Sequence, residues 1–416
     1  MSTAQGIPAP PQPSDPSRPA PTPRAERSPA PDLARGLMLL FIALANVVPY
    51  LHGAPRGPGG RPQDSTAVDR LADTLVSLFV DARSYPMFAI LFGYGLATMA
   101  RRATARGATP HQVRALLNRR HRWLIALGFA HAALLFAGDI LAIYGIVGLL
   151  AARLVDRPDK VLRRWAAVSF LSMTTVLTLA FWSEGATADP DNLNAKTDYR
   201  DAALARLTEH ALNVGLFAAL AFLIGLFVIG ITLARTGLLD HPEQHTTALR
   251  RTAAATLTAN LLLALPHALT VGGYLHPDHP RQTVLNTLHI VSGWAAGLGY
   301  VCAFALLALH LQHSRRPTAH HLSTAVRAVG ERSLTCYLLQ SAVLAPLLCA
   351  WGAGLGANIG TAQAYALAAG TWLLTAAVAL ALARTGRRGP FEVLLRHLTY
   401  RTAGTTNATS TTPAGP

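Results

Sequence analysis

Ten stretches of this chain are almost entirely apolar, and the polar stretches between them alternate in character. The apolar segments are Leu33–Leu51, Ser84–Ala100, Trp123–Ala137, Ile140–Ala152, Trp165–Trp182, Leu212–Ala234, Thr252–Val271, Leu288–Leu311, Leu334–Ala350 and Ala362–Ala383. The hydrocarbon core of a bilayer takes about 20 residues of α-helix, and uncharged runs such as Ala211–Leu233 and Gly360–Ala383 meet that length. Lipid offers no partner to an unpaired N–H or C=O, so such segments cross it as helices. The pattern predicts an all-α, polytopic transmembrane bundle of about ten spans over residues 32–400. The flanks read differently. Residues 1–31 contain ten prolines and cannot build a core, so a disordered tail is expected there. The Thr-rich tail 401–416 is read the same way. Arg35 stands at the mouth of the first apolar run with no A-x-A-like site after it, which argues against a cleaved signal peptide.

Composition agrees. Of the 416 residues, 14% are charged and 51% hydrophobic, too little charge to cover two or three soluble domains, which carry roughly 25%. The formal net charge of +15 invites a nucleic-acid reading. The arginines exclude it, because they bracket the apolar segments instead of gathering in one domain. Counted over alternate connecting stretches, 28 of the 36 Lys+Arg fall on the side shared with the N-terminus. Short cytoplasmic loops carry the excess of Lys and Arg. Both termini are therefore expected in the cytoplasm of a plasma-membrane protein. Cys302, Cys336 and Cys349 all sit in apolar segments with no metal-ligand spacing and read as small buried hydrophobes.

Ionisable groups inside spans are the candidates for chemistry. From Arg122 to Arg153 two apolar runs are joined only by Gly138 and Asp139. Half of that length, at 1.5 Å per residue, is about 24 Å, short of the ~30 Å core. Asp139 is thus expected just beneath the outer surface, either lining an outward-facing cavity or capping the helix that starts at Ile140. At similar depth the pattern puts His131, His267 behind Pro266, His289, Arg83, Tyr144 and, near mid-membrane, Asn46. Histidines, a carboxylate and an arginine can supply a base, an orienting acid and an anion contact. Each can equally serve as an interhelical hydrogen bonder. On the cytoplasmic side Asp32 with Arg35, Glu392 with Arg396, and Glu331 with Arg332 read as a structural ion-pair belt. No H-x-x-x-H or H-E-x-x-H places two metal ligands on one helix face.

Several motifs resemble those of the YeiB-like membrane proteins, the domain of unknown function 418. Asp32-Leu-Ala-Arg-Gly36 with Asn46 resembles their D-x-x-R-G…N, and Phe88-Ala-Ile-Leu-Phe-Gly93 their F-x-x-L-F-G. His131 through Gly138-Asp-Ile-Leu141 and Tyr144 is similar to H-x(6)-G-D-I-L-x-x-Y. Gly330–Ser341 is similar to G-R-x-x-L-T-N-Y-x-x-Q-S, with Cys336 in place of the asparagine. Gly389–Tyr400 is similar to G-P-L-E-x-x-W-R-x-L-T-Y, with Leu395 in place of the tryptophan. The resemblance spans Asp32 to Tyr400. It implies little chemistry beyond a loose association with transport and a distant similarity to multi-span acyltransferases.

Three functions follow as expectations. One is a membrane acyltransferase-like enzyme, with His131 or His267 as base, Asp139 as orienting group, and Arg83, Asn46, Tyr144, His289 and Gln340 as substrate contacts. It needs no bound cofactor, only an acyl thioester donor. The alternatives are a transporter of a small amphipathic molecule and a non-catalytic scaffold. The expected partners are the lipid bilayer and a small or lipid-like substrate.

Overall fold

A computed structural model describes residues 29–183, 192–219, 223–314 and 316–400. Among the described residues there is no β-strand, only an isolated bridge between Arg56 and Pro62. The helices are α1 (Pro29–Val47), α2 (Ala67–Phe79), α3 (Ser84–Ala105), α4 (Pro110–Leu134), α5 (Leu141–Ala151), α6 (Asp159–Ser183) and α7 (Tyr199–Ala219). They continue with α8 (Ile224–Thr236), α9 (Thr246–Val271), α10 (His279–His313), α11 (Pro317–Glu331), α12 (Ser333–Leu348), α13 (Thr361–Arg384) and α14 (Pro390–Tyr400). The chain is all-α, as its pattern predicts. The two tails expected to be disordered lie outside the described residues, except that residues 29–31 open α1. Prolines fit a first turn because its N–H groups have no intrahelical partner.

Six helical stretches are long and apolar enough to cross a membrane: Ala30–Tyr50, Ala67–Ala105, Asp159–Trp182, Pro242–Val271, His279–His313 and Thr361–Arg384. The apolar helices α5, α8 and α12 are shorter. α3 runs among α1, α4, α5, α8 and α10. Its Met87, Ala89, Ile90 and Leu91 are fully buried. α8 crosses α3 at two small residues: a Cβ on Gly93 would collide with the Phe227 carbonyl, and one on Gly230 with the Ile90 carbonyl. Small residues that let two backbones touch are the usual glue between helices in lipid.

Two elements differ from the apolar pattern. The run Leu212–Ala234 is shared between α7, which starts upstream at Tyr199, and α8. Arg206 of α7 donates to the carbonyls of Ala133 and Leu134, and His210 to that of Ala137. These bonds hold α7 against the turn that follows α4. The second difference is α2, whose Asp69, Arg70 and Asp73 make it read as loop. Their charges are answered by neighbours. Arg70 donates to the Gly272 and Gly273 carbonyls beyond α9, and Asp69 accepts from Thr66 and from the Ala362 N–H at the start of α13.

The helix ends form two polar rims. At one, Arg101 of α3 bonds Asp240 and the Ala234 carbonyl, Arg235 bonds Asp159 at the start of α6, and Arg119 bonds the Thr399 carbonyl of α14. Burial disfavours the Asp240 charge, but the Tyr94 hydroxyl and Arg101 outweigh it and hold that carboxyl below the usual range. At the opposite rim, Asn192 and Asn194 donate to the Leu51 and Pro49 carbonyls that follow α1. The glycine-rich segment 352–360 packs there as well: the His52 N–H donates to the Gly356 carbonyl, and the Ala353 N–H to that of Pro346.

Candidate functional site

A cavity of about 370 Å³ opens among the arginines. Its rim is built by Arg35 of α1, Arg102 and Arg106 of α3, Arg120 of α4, Arg388, and Arg396 of α14. Farther in, the walls are Phe88, Leu91, Phe92, Leu124, Leu141 and Leu334. Along α3 the lining runs from Arg106 to Phe88, about 27 Å of helix at 1.5 Å per residue. Tyr337, one turn into α12, lines the inner end. Cavities of this size commonly hold a small ligand.

The ion-pair belt expected at this rim is only partly formed. Asp32 does pair with Arg35 at 2.8 Å. Glu331 lies 3.6 Å from Arg332. Glu392 does not pair with Arg396. Its carboxylate accepts the N–H groups of Leu334 and Thr335 at 2.8 and 3.0 Å and the Thr335 hydroxyl at 2.5 Å. Those donors sit in the first turn of α12, where N–H groups lack helical partners and favour an anion.

Behind Tyr337 lies a buried triad. α4 ends at Leu134, and the chain turns through Gly138 and Asp139 into α5. The α4–α5 approach requires Gly128, since a Cβ there would meet the Ala142 backbone. Asp139 is 1% exposed. Its Oδ1 accepts the Ala142 N–H at 3.1 Å, so it does cap α5. Its Oδ2 accepts His131 Nδ1–H at 2.7 Å and the Tyr337 hydroxyl at 3.3 Å. A carboxylate partner fixes the His131 proton on Nδ1, which leaves Nε2 buried with no partner among the described residues. The His131 and Tyr337 rings meet edge to face with centroids 5.1 Å apart. Asp139 does not line the arginine-rimmed cavity. The carboxylate is sealed by three donors, and the neighbouring cavity opens toward the arginine-rich rim.

Three of the remaining candidates, Arg83, His267 and His289, form a second network toward the opposite rim. Arg83, fully buried, donates to Asn260 Oδ1 at 3.0 and 2.7 Å, to the Ser77 carbonyl at 3.2 Å and to the Asp81 carbonyl. Its NH1 also lies 3.1 Å from both ring nitrogens of His289. His267 stacks on His289 with ring centroids 4.0 Å apart. Asp81 extends the network, since its carboxylate pairs with Arg61 at 2.5 Å. Arg61 also meets Asp73 at 3.4 Å and Tyr365 at 3.1 Å, and Tyr365 donates to Asp73 at 2.8 Å. Burial opposes the Arg61 charge, yet Asp81, Tyr365 and Asp73 together hold its pKa above the ordinary arginine value.

The structure thus pairs His131 with Asp139, and His267 with His289 and Arg83, in two networks that no hydrogen bond joins among the described residues. Tyr144 donates to the Tyr85 carbonyl at 2.6 Å, and Gln340 to the Leu39 carbonyl at 3.1 Å, each fastening two helices. Asn46 is half-buried and bonds to neither network. Sequence reasoning misses Tyr337, although it stands inside the Gly330–Ser341 motif, because a lone tyrosine in an apolar run carries no chemical signature. Arg61, Asp73 and Asp81 are missed because they read as loop charges.

Residues 233–402 match the family model described as a protein of unknown function, DUF418. Over 400 residues the chain is 28% identical to the uncharacterized protein YeiB of Escherichia coli strain K12, covering 91% of this chain and 98% of that protein. It is 24% identical over 411 residues to the uncharacterized protein YxaH of Bacillus subtilis strain 168, covering 91% and 96%. An uncharacterized 39.9 kDa protein from the amylase 3′ region of Bacillus acidopullulyticus is 33% identical over 126 residues, which is 29% of this chain and 31% of that protein. No solved structure gives a significant match. The Gly330–Ser341 and Gly389–Tyr400 motifs fall within the matched residues, and the similarity to YeiB and YxaH runs along nearly the whole length, so the chain is similar to the YeiB-like DUF418 proteins from end to end and carries the DUF418 match in its C-terminal part.

Proposed function

We propose that this protein is a plasma-membrane acyltransferase-like enzyme of ten crossing helices, both termini in the cytoplasm, that takes its acyl donor from the arginine-rich side. The crossings would be α1, α3, α4, α5, α6, α8, α9, α10, α12 and α13. The 28 basic residues of the alternate stretches and the bonds that tie Arg101, Arg119 and Arg235 into one rim support that topology. The observation that carries the chemistry is the cavity with a cationic mouth and apolar walls that ends on Tyr337, whose hydroxyl bonds the buried Asp139–His131 pair.

Acyl transfer from a thioester needs a proton taken from the acceptor and returned to the leaving thiolate. The acceptor oxygen or nitrogen forms a bond to the thioester carbonyl carbon, and the C–S bond breaks. The acceptor proton passes to the Tyr337 oxygen as the Tyr337 proton moves to Asp139, and the reverse shift delivers it to the thiolate. His131 Nδ1–H stabilises the Asp139 charge before the first shift and after the reverse one, when the carboxylate is ionised. Tyr337 would be the catalytic residue, with Asp139 and His131 positioning it. His267 and Arg83 belong to the other network and would act, if on substrate at all, from the opposite rim.

Purified protein supplied with an acyl thioester and a hydroxyl or amine acceptor tests this reading. Tyr337→Phe and Asp139→Asn should each lower turnover by about 100-fold, in line with loss of general acid–base catalysis, with His267→Ala much milder. Turnover unchanged in Tyr337→Phe and His131→Ala would remove the proposed roles. One observation favours a second reading as a transporter: both α9 and α12 contain a proline, Pro266 and Pro346, where helices can bend. Flux of an amphipathic anion into proteoliposomes that collapses with the proton gradient, without acyl transfer, would decide for it.

A further inference from the structure

The cationic rim of the cavity is over-supplied with charge. Six arginines line it against three carboxylates, Asp32, Glu331 and Glu392. Each carboxylate is engaged elsewhere: Asp32 with Arg35, Glu392 with the first turn of α12, and Glu331 beside Arg332. Among the described residues Arg102, Arg120, Arg388 and Arg396 make no hydrogen bond and have no carboxylate within 4 Å. Arg102, Arg120 and Arg396 are half-buried, where water screens their mutual repulsion less than at an open surface. They come from α3, α4 and α14, and Arg388 from the segment just before α14, so no single helix explains their convergence.

Guanidinium groups left without acceptors around a cavity suit an anion with many oxygens. A carboxylate presents two oxygens and is matched by one guanidinium fork. Four forks reaching inward from separate segments ask for a longer anion with oxygens on several sides. The apolar walls from Leu91 to Leu141 ask for a tail attached to it.

We infer that Arg102, Arg120, Arg388 and Arg396 form a diphosphate-binding site, and that the ligand of this cavity is a diphosphate-bearing amphiphile whose apolar part runs toward Tyr337. The inference names the donor class for the reading above and rests on the same cavity. Its test measures binding alone. A protein that binds diphosphate but transfers no acyl group would therefore sink that reading and leave this site standing.

The full chain, purified into phosphatidylcholine nanodiscs, is titrated with inorganic pyrophosphate, ADP and dodecyl diphosphate. Saturable pyrophosphate binding is expected, weakened at least 10-fold by Arg102→Gln, Arg120→Gln or Arg396→Gln and unchanged by Arg281→Gln at the opposite rim. Dodecyl diphosphate binding 10-fold tighter than pyrophosphate would support both the site and its apolar tail and identify a bilayer-resident source; ADP binding tighter than both would identify a soluble source, keep the diphosphate site and overturn the apolar tail. Absence of saturable diphosphate binding, or equal affinity in a variant lacking all three half-buried arginines, overturns it. A variant that does not fold leaves a measurement on the unaltered protein. Pyrophosphate should shield Arg102, Arg120 and Arg396 from phenylglyoxal, read by peptide mass, and equal modification with and without it also overturns the site.

Discussion

A carboxylate inside a membrane bundle is tolerable only where donors replace its hydration, and Asp139 has three, the Ala142 N–H, His131 Nδ1–H and the Tyr337 hydroxyl. Breaking such a buried set by altering its centre costs about 3–5 kcal/mol, because Tyr337, His131 and the first turn of α5 all lose an acceptor. Deleting the Tyr337 hydroxyl removes one donor of three and costs about 1 kcal/mol. Asp139→Asn is therefore expected to lower the midpoint of thermal unfolding in detergent several times more than Tyr337→Phe does. Equal shifts would mean that the Asp139 carboxylate does not organise the triad. At this scale the sequence shows half of the site. Spacing and depth single out His131 and Asp139, and they do meet, because an eight-residue separation across one helix turn-back brings them together. The same reasoning groups them with His267 and Arg83, which it expects at the same depth but which have other neighbours. Depth is a one-dimensional property, and which helix faces which is not written in it. Glu392 teaches the same lesson. Its i,i+4 spacing to Arg396 suggests a pair, yet the carboxylate goes to the unsatisfied N–H groups at the start of α12, where the helix end favours an anion.

Packing of whole elements depends on a few positions where no side chain fits. Gly93 and Gly230 face each other where α3 and α8 cross, and each would drive a Cβ into the other helix's backbone carbonyl. A backbone cannot step aside as a side chain does, so Gly93→Val and Gly230→Val should each destabilise by at least the 1–3 kcal/mol typical of overpacking. Gly370 on α13 has open space around its missing Cβ, and Gly370→Ala should stabilise by about 0.5–1 kcal/mol, the ordinary advantage of alanine over glycine inside a helix. A Gly93→Val protein as stable as the parent would show that α3 and α8 are not in direct contact. Most elements are legible because apolar runs of span length have little choice but to be helices. α2 is not legible, since Asp69, Arg70 and Asp73 interrupt its apolar run, and only partners far along the chain let that polar face be buried while Val68, Leu71, Leu75 and Phe79 stay exposed. The division between α7 and α8 is equally hidden. Arg206 and His210 settle it through carbonyls some 70 residues away.

For the molecule as a whole, orientation is the property on which the proposed donor route depends, since the cavity opens toward the arginine-rich rim. The chain is well suited to a labelling test, because its three cysteines, Cys302, Cys336 and Cys349, are all buried and the parent should be silent to a membrane-impermeant maleimide. Four exposed positions sample successive connections: Arg157 between α5 and α6, Arg200 at the start of α7, His241 between α8 and α9, and Arg281 at the start of α10. With ten crossings and a cytoplasmic N-terminus, Arg200→Cys and Arg281→Cys should label in intact cells. Arg157→Cys and His241→Cys should label only after permeabilisation. The reverse pattern would put the arginine rim outside, against the rule that basic loops stay in the cytoplasm, and would exclude a cytoplasmic thioester as the donor. Labelling that fails to alternate between Arg157 and Arg200 would remove α6 from the crossings. α6 carries Trp165 and Trp182 near its two ends, both exposed. They stand about 26 Å apart at 1.5 Å per residue, a spacing that suits the two interfaces where tryptophan anchors a spanning helix.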